Sequence, residues 1–175
     1  MIRILLNGCN GKMGQAITRS CMFNDRLLIV AGIDATIKAD RNYPVYTEPT
    51  QVKESVDIII DFSHPCALEG ILNYAIEKSL PIVIATTGHN EAQKDLIINA
   101  AKSIPVLLSA NMSLGINLML DLAKRAAKML HGSFDIEIIE KHHNQKIDSP
   151  SGTALAIADS INSALPGNEM KYVYD

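Results

Sequence analysis

Five short apolar runs, each followed at once by polar loop residues, constrain the fold of this chain more than any other feature. They occupy residues 2–6, 27–33, 56–60, 81–85 and 105–108. A continuous apolar run indicates a strand that is buried on both faces. Segments with helical periodicity lie between the runs, such as the one that starts at Pro65. This alternation predicts a doubly wound α/β domain, in which helices cover both faces of a parallel sheet.

The pattern changes after residue 112. Leu114, Leu118, Leu122 and Leu130, together with Ala126, recur every four residues and predict one long amphipathic helix. Residues 134–140 then alternate between apolar and polar side chains, which predicts a half-exposed antiparallel strand. The chain therefore divides into a Rossmann-like domain over residues 1–112 and a smaller α+β domain over residues 113–175.

A glycine-rich loop follows the first apolar run. Gly8, Gly11 and Gly14 provide for a tight turn, a close approach to a pyrophosphate and close helix packing. Cys9 stands where a plain GxGxxG motif has its first glycine. Asp34 ends the second strand, twenty residues after Gly14, at a distance that suits a ribose 2′-hydroxyl. These features predict a dinucleotide site, and the alternative is a glycine-rich turn that binds nothing.

The choice between the two nicotinamide cofactors rests on charge. Asp34 favours NADH because a carboxylate repels a 2′-phosphate. Lys12 and Lys38 are cations that can meet such a phosphate, although each can equally be a solvated side chain. The later strand ends, 85–88 and 109–112, offer hydroxyl, amide and backbone groups to a nicotinamide carboxamide, but the same residue types are common in ordinary turns.

A second cluster of polar residues begins at position 142. His142 and His143 are adjacent on an extended segment, so their side chains point to opposite faces. Histidine titrates near neutrality and suits proton transfer, and Lys146 adds a second cation. Gly152 and Thr153 open an apolar helix whose free N–H groups can hold an anion. The cluster predicts a small carboxylate-bearing substrate and a proton donor for its reduction; the alternative is a solvated surface loop.

Composition excludes several other functions. A net charge of −3 leaves no basic surface that would argue for nucleic acid. Cys9, Cys21 and Cys66 lack the spacing of a metal or disulfide framework, which favours reduced thiols in a cytoplasmic protein. No apolar stretch approaches the roughly 20 residues of a membrane span, and the N-terminal run is too short for a signal peptide. We therefore expect no nucleic-acid, membrane or metal partner.

These motifs together resemble one known family. The run 142–154 closely resembles the signature of the 4-hydroxy-tetrahydrodipicolinate reductase (dihydrodipicolinate reductase) family, and 8–14 resembles its nucleotide loop. Residues 61–63, 85–88 and 109–117 resemble its later motifs in order. The resemblance implies an oxidoreductase of lysine and diaminopimelate biosynthesis. Such an enzyme uses NADH or NADPH to reduce the cyclic dehydrated condensation product of pyruvate and aspartate semialdehyde to tetrahydrodipicolinate.

The resemblance also implies roles for individual residues. It makes His142 the proton donor and acceptor and Lys146 the second proton donor, while His143, Gly152 and Thr153 bind the substrate carboxylates. The implied cofactor contacts are Gly8, Cys9, Asn10, Gly11, Lys12, Met13, Asp34, Ala85, Thr86, Thr87, Ser109, Ala110, Asn111 and Met112.

The chain departs from the family pattern at several positions. Ala35 follows Asp34 where the family often has an arginine, and Ala85 and Met112 replace its usual glycine and phenylalanine. Family members continue beyond position 175, so the resemblance implies an incomplete substrate-binding and oligomerisation domain and, for full-length members, a homotetramer. The alternatives are a nucleotide-binding but catalytically impaired fragment, or another NAD(P)-dependent semialdehyde or amino-acid dehydrogenase.

Overall fold

The computed structural model of the chain describes residues 1–37, 41–109, 111–142, 144, 149–168 and 170–174. It divides into two compact units, Met1–Ala110 and Asn111–Asp175. The first contains a sheet with its covering helices, and the second contains a pair of helices.

The described residues of the first unit form a six-stranded parallel sheet in the order β3-β2-β1-β4-β5-β6. Its strands are β1 (Ile2–Asn7), β2 (Leu27–Ile33), β3 (Val45–Tyr46), β4 (Ile58–Asp61), β5 (Ile82–Ile84) and β6 (Val106–Leu108). The helices that connect them are α1 (Lys12–Cys21), α2 (Leu68–Glu77) and α3 (Glu91–Ala100). The predicted doubly wound α/β fold is confirmed.

Each face of the sheet has its own core because neighbouring side chains of a strand point in opposite directions. Leu5 is buried on the face covered by α2 and α3, in one cluster with Ile97. Ile4 and Leu6 are buried on the other face, where Ile17 of α1 packs against their cluster. Burial on both faces explains why the strands read as continuous apolar runs in the sequence.

The strand order reverses beside β1, the strand from which the chain winds outward in both directions. In open α/β sheets, ligands bind outside the carboxyl ends of the strands at this switch point. Asn7 and Asp61 end the two strands that meet there, and both are buried polar residues. This edge of the sheet is therefore where the first unit is expected to bind a ligand.

At the amino-terminal ends of β1 and β4, an ion pair between Arg3 and Asp57 makes the stability of the fold depend on pH. The Arg3 guanidinium donates to both oxygens of Asp57, at 3.0 and 2.6 Å, and the Arg3 backbone N–H also donates, at 2.8 Å. These bonds, the side-chain ones first, lower the pKa of Asp57 from 3.8 to about 2. Because the folded pKa is the lower one, the stabilisation is present above about pH 4 and is lost as the pH falls towards 2.

We therefore expect Asp57→Asn to be less stable than the wild type in urea at pH 6, and the difference to shrink at pH 2.5. Asp25→Asn is the matched control, because Asp25 is exposed and its side chain has no partner among the described residues. A destabilisation by Asp57→Asn that is equally large at both pH values would show that the ion pair is not its source.

The second unit is built on α4 (Leu114–Leu130) and α5 (Gly152–Asn162). The predicted long helix is confirmed, but the leucine stripe is not its packed face: Leu114, Leu118, Leu122 and Leu130 are 85, 57, 56 and 48% exposed. The buried contact is made by Ala127, which lies against Ile161 and Leu165. The face of α4 that packs against α5 therefore consists of small side chains. The four-residue spacing of the leucines did not indicate this face.

The strand predicted over residues 134–140 is wrong. These residues carry no strand assignment and are exposed. A strand needs a second segment that supplies the other half of its hydrogen bonds. Among the described residues of the second unit, none forms a strand beside it. The alternating pattern indicated which side chains could share a face, but it carried no information about a pairing partner.

Candidate functional site

The glycine loop of the first unit turns tightly between β1 and α1. Gly8 has a φ of +79°, and its N–H donates to the Ile33 carbonyl at 2.8 Å. A Cβ on Gly8 would lie 2.4 Å from the Phe62 carbonyl oxygen. Glycine is therefore required here both by the backbone conformation and by the contact with the end of β4.

The start of α1 has the donors that a phosphate needs. Gly11 is its N-cap, no side chain caps the helix, and no acidic residue lies in its first turn. The N–H groups of Lys12 and Met13 have no acceptor among the described residues. Unsatisfied N–H groups at the positive end of a helix dipole bind phosphate. The residues present therefore fit the pyrophosphate of a dinucleotide.

Cys9 contributes to this loop differently from a glycine. Its side chain is fully buried, and a Cβ on Gly32 would meet its Sγ at 2.6 Å. Its N–H donates to the Ile33 carbonyl at 3.2 Å. The side chain thus belongs to the core, and the predicted cofactor contact of Cys9 can be made only through its backbone.

Asp34 is joined to the loop through Asn10. Its Oδ2 accepts the Asn10 backbone N–H at 2.8 Å, while the Asn10 side chain donates to the Thr36 carbonyl at 2.6 Å. Arg41 donates to the Asn10 Oδ1 through Nε and Nη2, at 3.3 and 3.2 Å. The carboxylate of Asp34 and the guanidinium of Arg41 therefore both contact Asn10. Arg41 was not predicted as a site residue, because its only signal in the sequence was a basic residue in the loop after β2. Lys38 lies outside the described residues.

Asp61 is a second residue that was not predicted as part of the site. It is 1% exposed, and its carboxylate accepts from the side chains of Asn7 (2.8 Å), Ser63 (2.6 Å) and Thr86 (2.8 Å). Asp61 thus holds together the ends of β1 and β4 and the residue that follows Ala85. The Thr86 hydroxyl hydrogen is committed to Asp61, whereas Thr87 is exposed and available to a cofactor.

The predicted contacts at 109–112 are divided between the units. The Ser109 N–H donates to the Ile84 carbonyl at 3.0 Å, which places Ser109 at the same edge as Ala85. Ala110 lies outside the described residues. Asn111 and Met112 belong to the second unit, where the Asn111 Oδ1 accepts the Ser113 N–H at 2.9 Å and Met112 is half-exposed.

The second unit joins His142 to the start of α5 through a carboxylate. Glu140 accepts the Ser151 backbone N–H at Oε1, at 2.8 Å, and the Ser151 hydroxyl at Oε2. The same Oε2 lies 3.6 Å from the His142 Nδ1, an ion-pair distance when the imidazole is protonated. His143 and Lys146 lie outside the described residues.

The predicted helix start at Gly152 and Thr153 is present. Ser151 is the N-cap of α5, and its hydroxyl accepts the Ala154 N–H at 3.0 Å. The N–H groups of Gly152 and Thr153 have no acceptor among the residues that the structure describes. These two donors can bind a carboxylate. Among the described residues, no group of three or more His, Cys, Asp or Glu side chains is arranged to hold a metal ion.

Comparison with known families assigns both units. Residues 2–112 match the family described as dihydrodipicolinate reductase, N-terminus, and residues 115–173 match dihydrodipicolinate reductase, C-terminus. The 4-hydroxy-tetrahydrodipicolinate reductases of Caldanaerobacter subterraneus subsp. tengcongensis and Clostridium tetani are 49% and 47% identical to this chain over 175 residues. In both cases the match covers 99% of this chain and 68% of the relative.

Solved structures agree with the sequence relatives. A dipicolinate-bound dihydrodipicolinate reductase from Paenisporosarcina sp. TG-14 superimposes with a TM-score of 0.78 at 29% identity, over 100% of this chain and 71% of that one. A myo-inositol 2-dehydrogenase from Lactobacillus plantarum has a TM-score of 0.54 at 17% identity, over 74% of this chain and 40% of that one. The second likeness shows a shared fold alone.

Proposed function

The chain belongs to the dihydrodipicolinate reductase family, and from this premise we propose that it reduces 4-hydroxy-tetrahydrodipicolinate to tetrahydrodipicolinate with NADH or NADPH. The observation that carries the proposal is the pairing of His142 with the free helix start at Gly152 and Thr153. A proton donor beside an anion cradle is what the reduction of a small dicarboxylate requires.

Each unit has its own part in this proposal. Residues 1–112 bind the dinucleotide, supported by the free N–H groups at the start of α1 and by Asp34. Residues 113–175 bind the substrate, supported by the free N–H groups of Gly152 and Thr153. When bound, the reduced nicotinamide supplies a hydride to the substrate.

The chain's own residues supply the proton and the substrate contacts. The 4-hydroxyl leaves as water, which gives a conjugated C=C–C=N system. As the hydride adds to the terminal carbon of this system, electrons move towards the ring nitrogen, which must then gain a proton. His142 donates that proton, and Lys146 acts as the second donor. The N–H groups of Gly152 and Thr153, with His143, hold the substrate carboxylates and fix the orientation of the ring.

The test is turnover with substrate made in place. Aspartate semialdehyde and pyruvate are condensed enzymatically, and the loss of NADH absorbance is followed on addition of this chain. We expect NADH consumption that depends on both precursors. Consumption with aspartate semialdehyde alone would point to another NAD(P)-dependent dehydrogenase, one that reduces the semialdehyde itself. Calorimetry that detects NADH binding but no binding of pyridine-2,6-dicarboxylate would contradict the proposed substrate site.

The use of NADPH is proposed to depend on Arg41. An arginine near the acid that ends the second strand can accommodate a 2′-phosphate by charge-assisted hydrogen bonds. Arg41→Ala is therefore expected to raise the KM for NADPH about tenfold, the equivalent of one such bond, and to leave the KM for NADH nearly unchanged. Steady-state kinetics with each cofactor measures both values.

The matched control is Arg19→Ala, which removes an exposed arginine of α1 that has no partner among the described residues. It should leave both KM values unchanged. An equal increase for NADH and NADPH in Arg41→Ala would show that Arg41 only supports Asn10 and the loop.

The proposal also covers the oligomeric state and the cellular location of the protein. The family resemblance supports a homotetramer in the cytoplasm whose ligands are a small dicarboxylate and a nicotinamide cofactor. In the described part of the chain, no helix combines the length and apolar character needed to cross a membrane. Light scattering coupled to gel filtration measures the oligomeric state directly.

A further inference from the structure

Glu140 contacts two separate parts of the proposed substrate site. One carboxylate oxygen, Oε1, accepts the backbone N–H of Ser151 at 2.8 Å. The other, Oε2, accepts the Ser151 hydroxyl and lies 3.6 Å from the Nδ1 of His142. A single carboxylate therefore bridges the proton donor and the N-cap of the helix that forms the anion cradle.

The contact with Ser151 determines how α5 begins. The Ser151 hydroxyl gives its hydrogen to Glu140 and uses its oxygen to accept the Ala154 N–H at 3.0 Å. The two oxygens of one carboxylate thus accept from both the backbone and the side chain of Ser151, which is a buried N-cap. With Ala154 satisfied internally, the N–H groups of Gly152 and Thr153 remain for a substrate carboxylate.

The contact with His142 determines which ring nitrogen is left for the substrate. Nδ1 is on the side of the carboxylate, so Nε2 is the nitrogen that can reach another group. At 3.6 Å the carboxylate is at ion-pair distance from Nδ1, and its negative charge favours a proton on this nitrogen and therefore one tautomer of the ring. It also balances the positive charge that His142 carries as a proton donor.

We propose that Glu140 is a positioning residue for the reduction, which presents Nε2 of His142 to the substrate and holds Ser151 so that the cradle faces the substrate carboxylates. The inference deepens the proposed function and rests on it for its kinetic consequences. From the sequence, Glu140 was only the last residue of the predicted strand and had no role in the site.

Two variants separate the two contacts. Glu140→Gln keeps a carbonyl that can accept the Ser151 N–H but loses the charge beside His142, so kcat is expected to fall about tenfold or more. Its Kd for pyridine-2,6-dicarboxylate should change little. Ser151→Ala keeps the carboxylate beside His142 but removes the N-cap hydroxyl, so it should weaken diacid binding about tenfold and lower kcat less.

The matched control is Glu137→Gln, on an exposed glutamate of the same segment that has no partner among the described residues. It should match the wild type in kcat and in diacid affinity. The positioning role is overturned if Glu140→Gln keeps the wild-type kcat, or if it loses kcat and diacid affinity by the same factor. The cradle part is overturned if Ser151→Ala binds the diacid as the wild type does.

A readout without turnover separates this inference from the proposed function. In ¹⁵N-labelled protein at a pH where the ring is neutral, the His142 nitrogens should report a proton on Nδ1, with the signals assigned by their absence from His142→Gln. Glu140→Gln should shift the ring towards a mixture of tautomers. An Nε2-protonated ring in the wild type, or no change in the variant, would overturn the inference. Failure of the wild type to consume NADH would instead overturn the proposed function.

Discussion

Replacing His142 with glutamine is expected to lower kcat by about two to four orders of magnitude, the range that a general acid contributes. Glutamine has a similar reach and can still donate a hydrogen bond, but it cannot transfer a proton at neutral pH. The affinities for NADH and for pyridine-2,6-dicarboxylate should stay unchanged, because neither the glycine loop nor the helix start at Gly152 is altered. Steady-state kinetics and calorimetry on the same preparation measure the two effects separately.

His131→Gln is the control for this substitution. His131 is exposed at the C-terminal end of α4, and its side chain has no partner among the described residues. We expect its kcat to equal that of the wild type. Near-normal kcat in both His142→Gln and Lys146→Ala would show that the assigned proton donors are wrong.

Replacing Gly14 with alanine is expected to cause a large loss of stability in the first unit. The new Cβ would lie 2.3 Å from the Gly8 carbonyl oxygen and 2.7 Å from both the Cα and the carbonyl carbon of Cys9. These are backbone atoms of a tight turn, so no side-chain rotation can relieve the overlap and α1 must move away. We expect a loss of about 1–3 kcal/mol in the free energy of unfolding, together with weakened NADH binding.

Two other glycine substitutions test this explanation. Gly11→Ala meets only the Gly8 carbonyl oxygen, at 3.3 Å, and should be tolerated much better. Gly70→Ala has no atom within 4 Å of its new Cβ and lies in α2, where alanine should add about 0.5–1 kcal/mol of stability. If Gly14→Ala were as stable as Gly11→Ala and bound NADH equally well, close packing of α1 on the loop could not be the function of Gly14.

Local features of the first unit were predictable because they depend on neighbours in the chain. Continuous apolar runs marked the strands, and β2 (Leu27–Ile33) has the predicted limits. The capping box of α3 is a local feature of the same kind, since its two residues lie three apart: the Asn90 side chain accepts the Gln93 N–H at 2.9 Å, and the Gln93 side chain accepts the Asn90 N–H at 3.1 Å. In each case the signal lies within a few residues of the structure that it predicts.

Long-range partners could not be predicted in the same way. Asp61 meets Asn7 across 54 residues, Arg41 meets Asn10 across 31, and Glu140 meets Ser151 across 11. A sequence pattern shows that an acid or a base is present, but its partner is chosen by the path of the backbone. The wrong prediction of a strand over residues 134–140 has the same cause. A strand forms only when two segments pair, whereas the periodicity of one segment says nothing about its partner.

The sequence by itself therefore determined the α/β fold, the glycine loop, the acid at the end of β2 and the histidine segment, because burial patterns, turn geometry and residue chemistry act over short stretches of chain. Only the tertiary structure decided how these parts are held. It directed the Thr86 hydroxyl to Asp61, placed a guanidinium next to Asn10, and made Glu140 the link between His142 and the cradle. Hydrogen bonds and ion pairs of this kind form only after folding has brought distant residues within about 3–4 Å of one another.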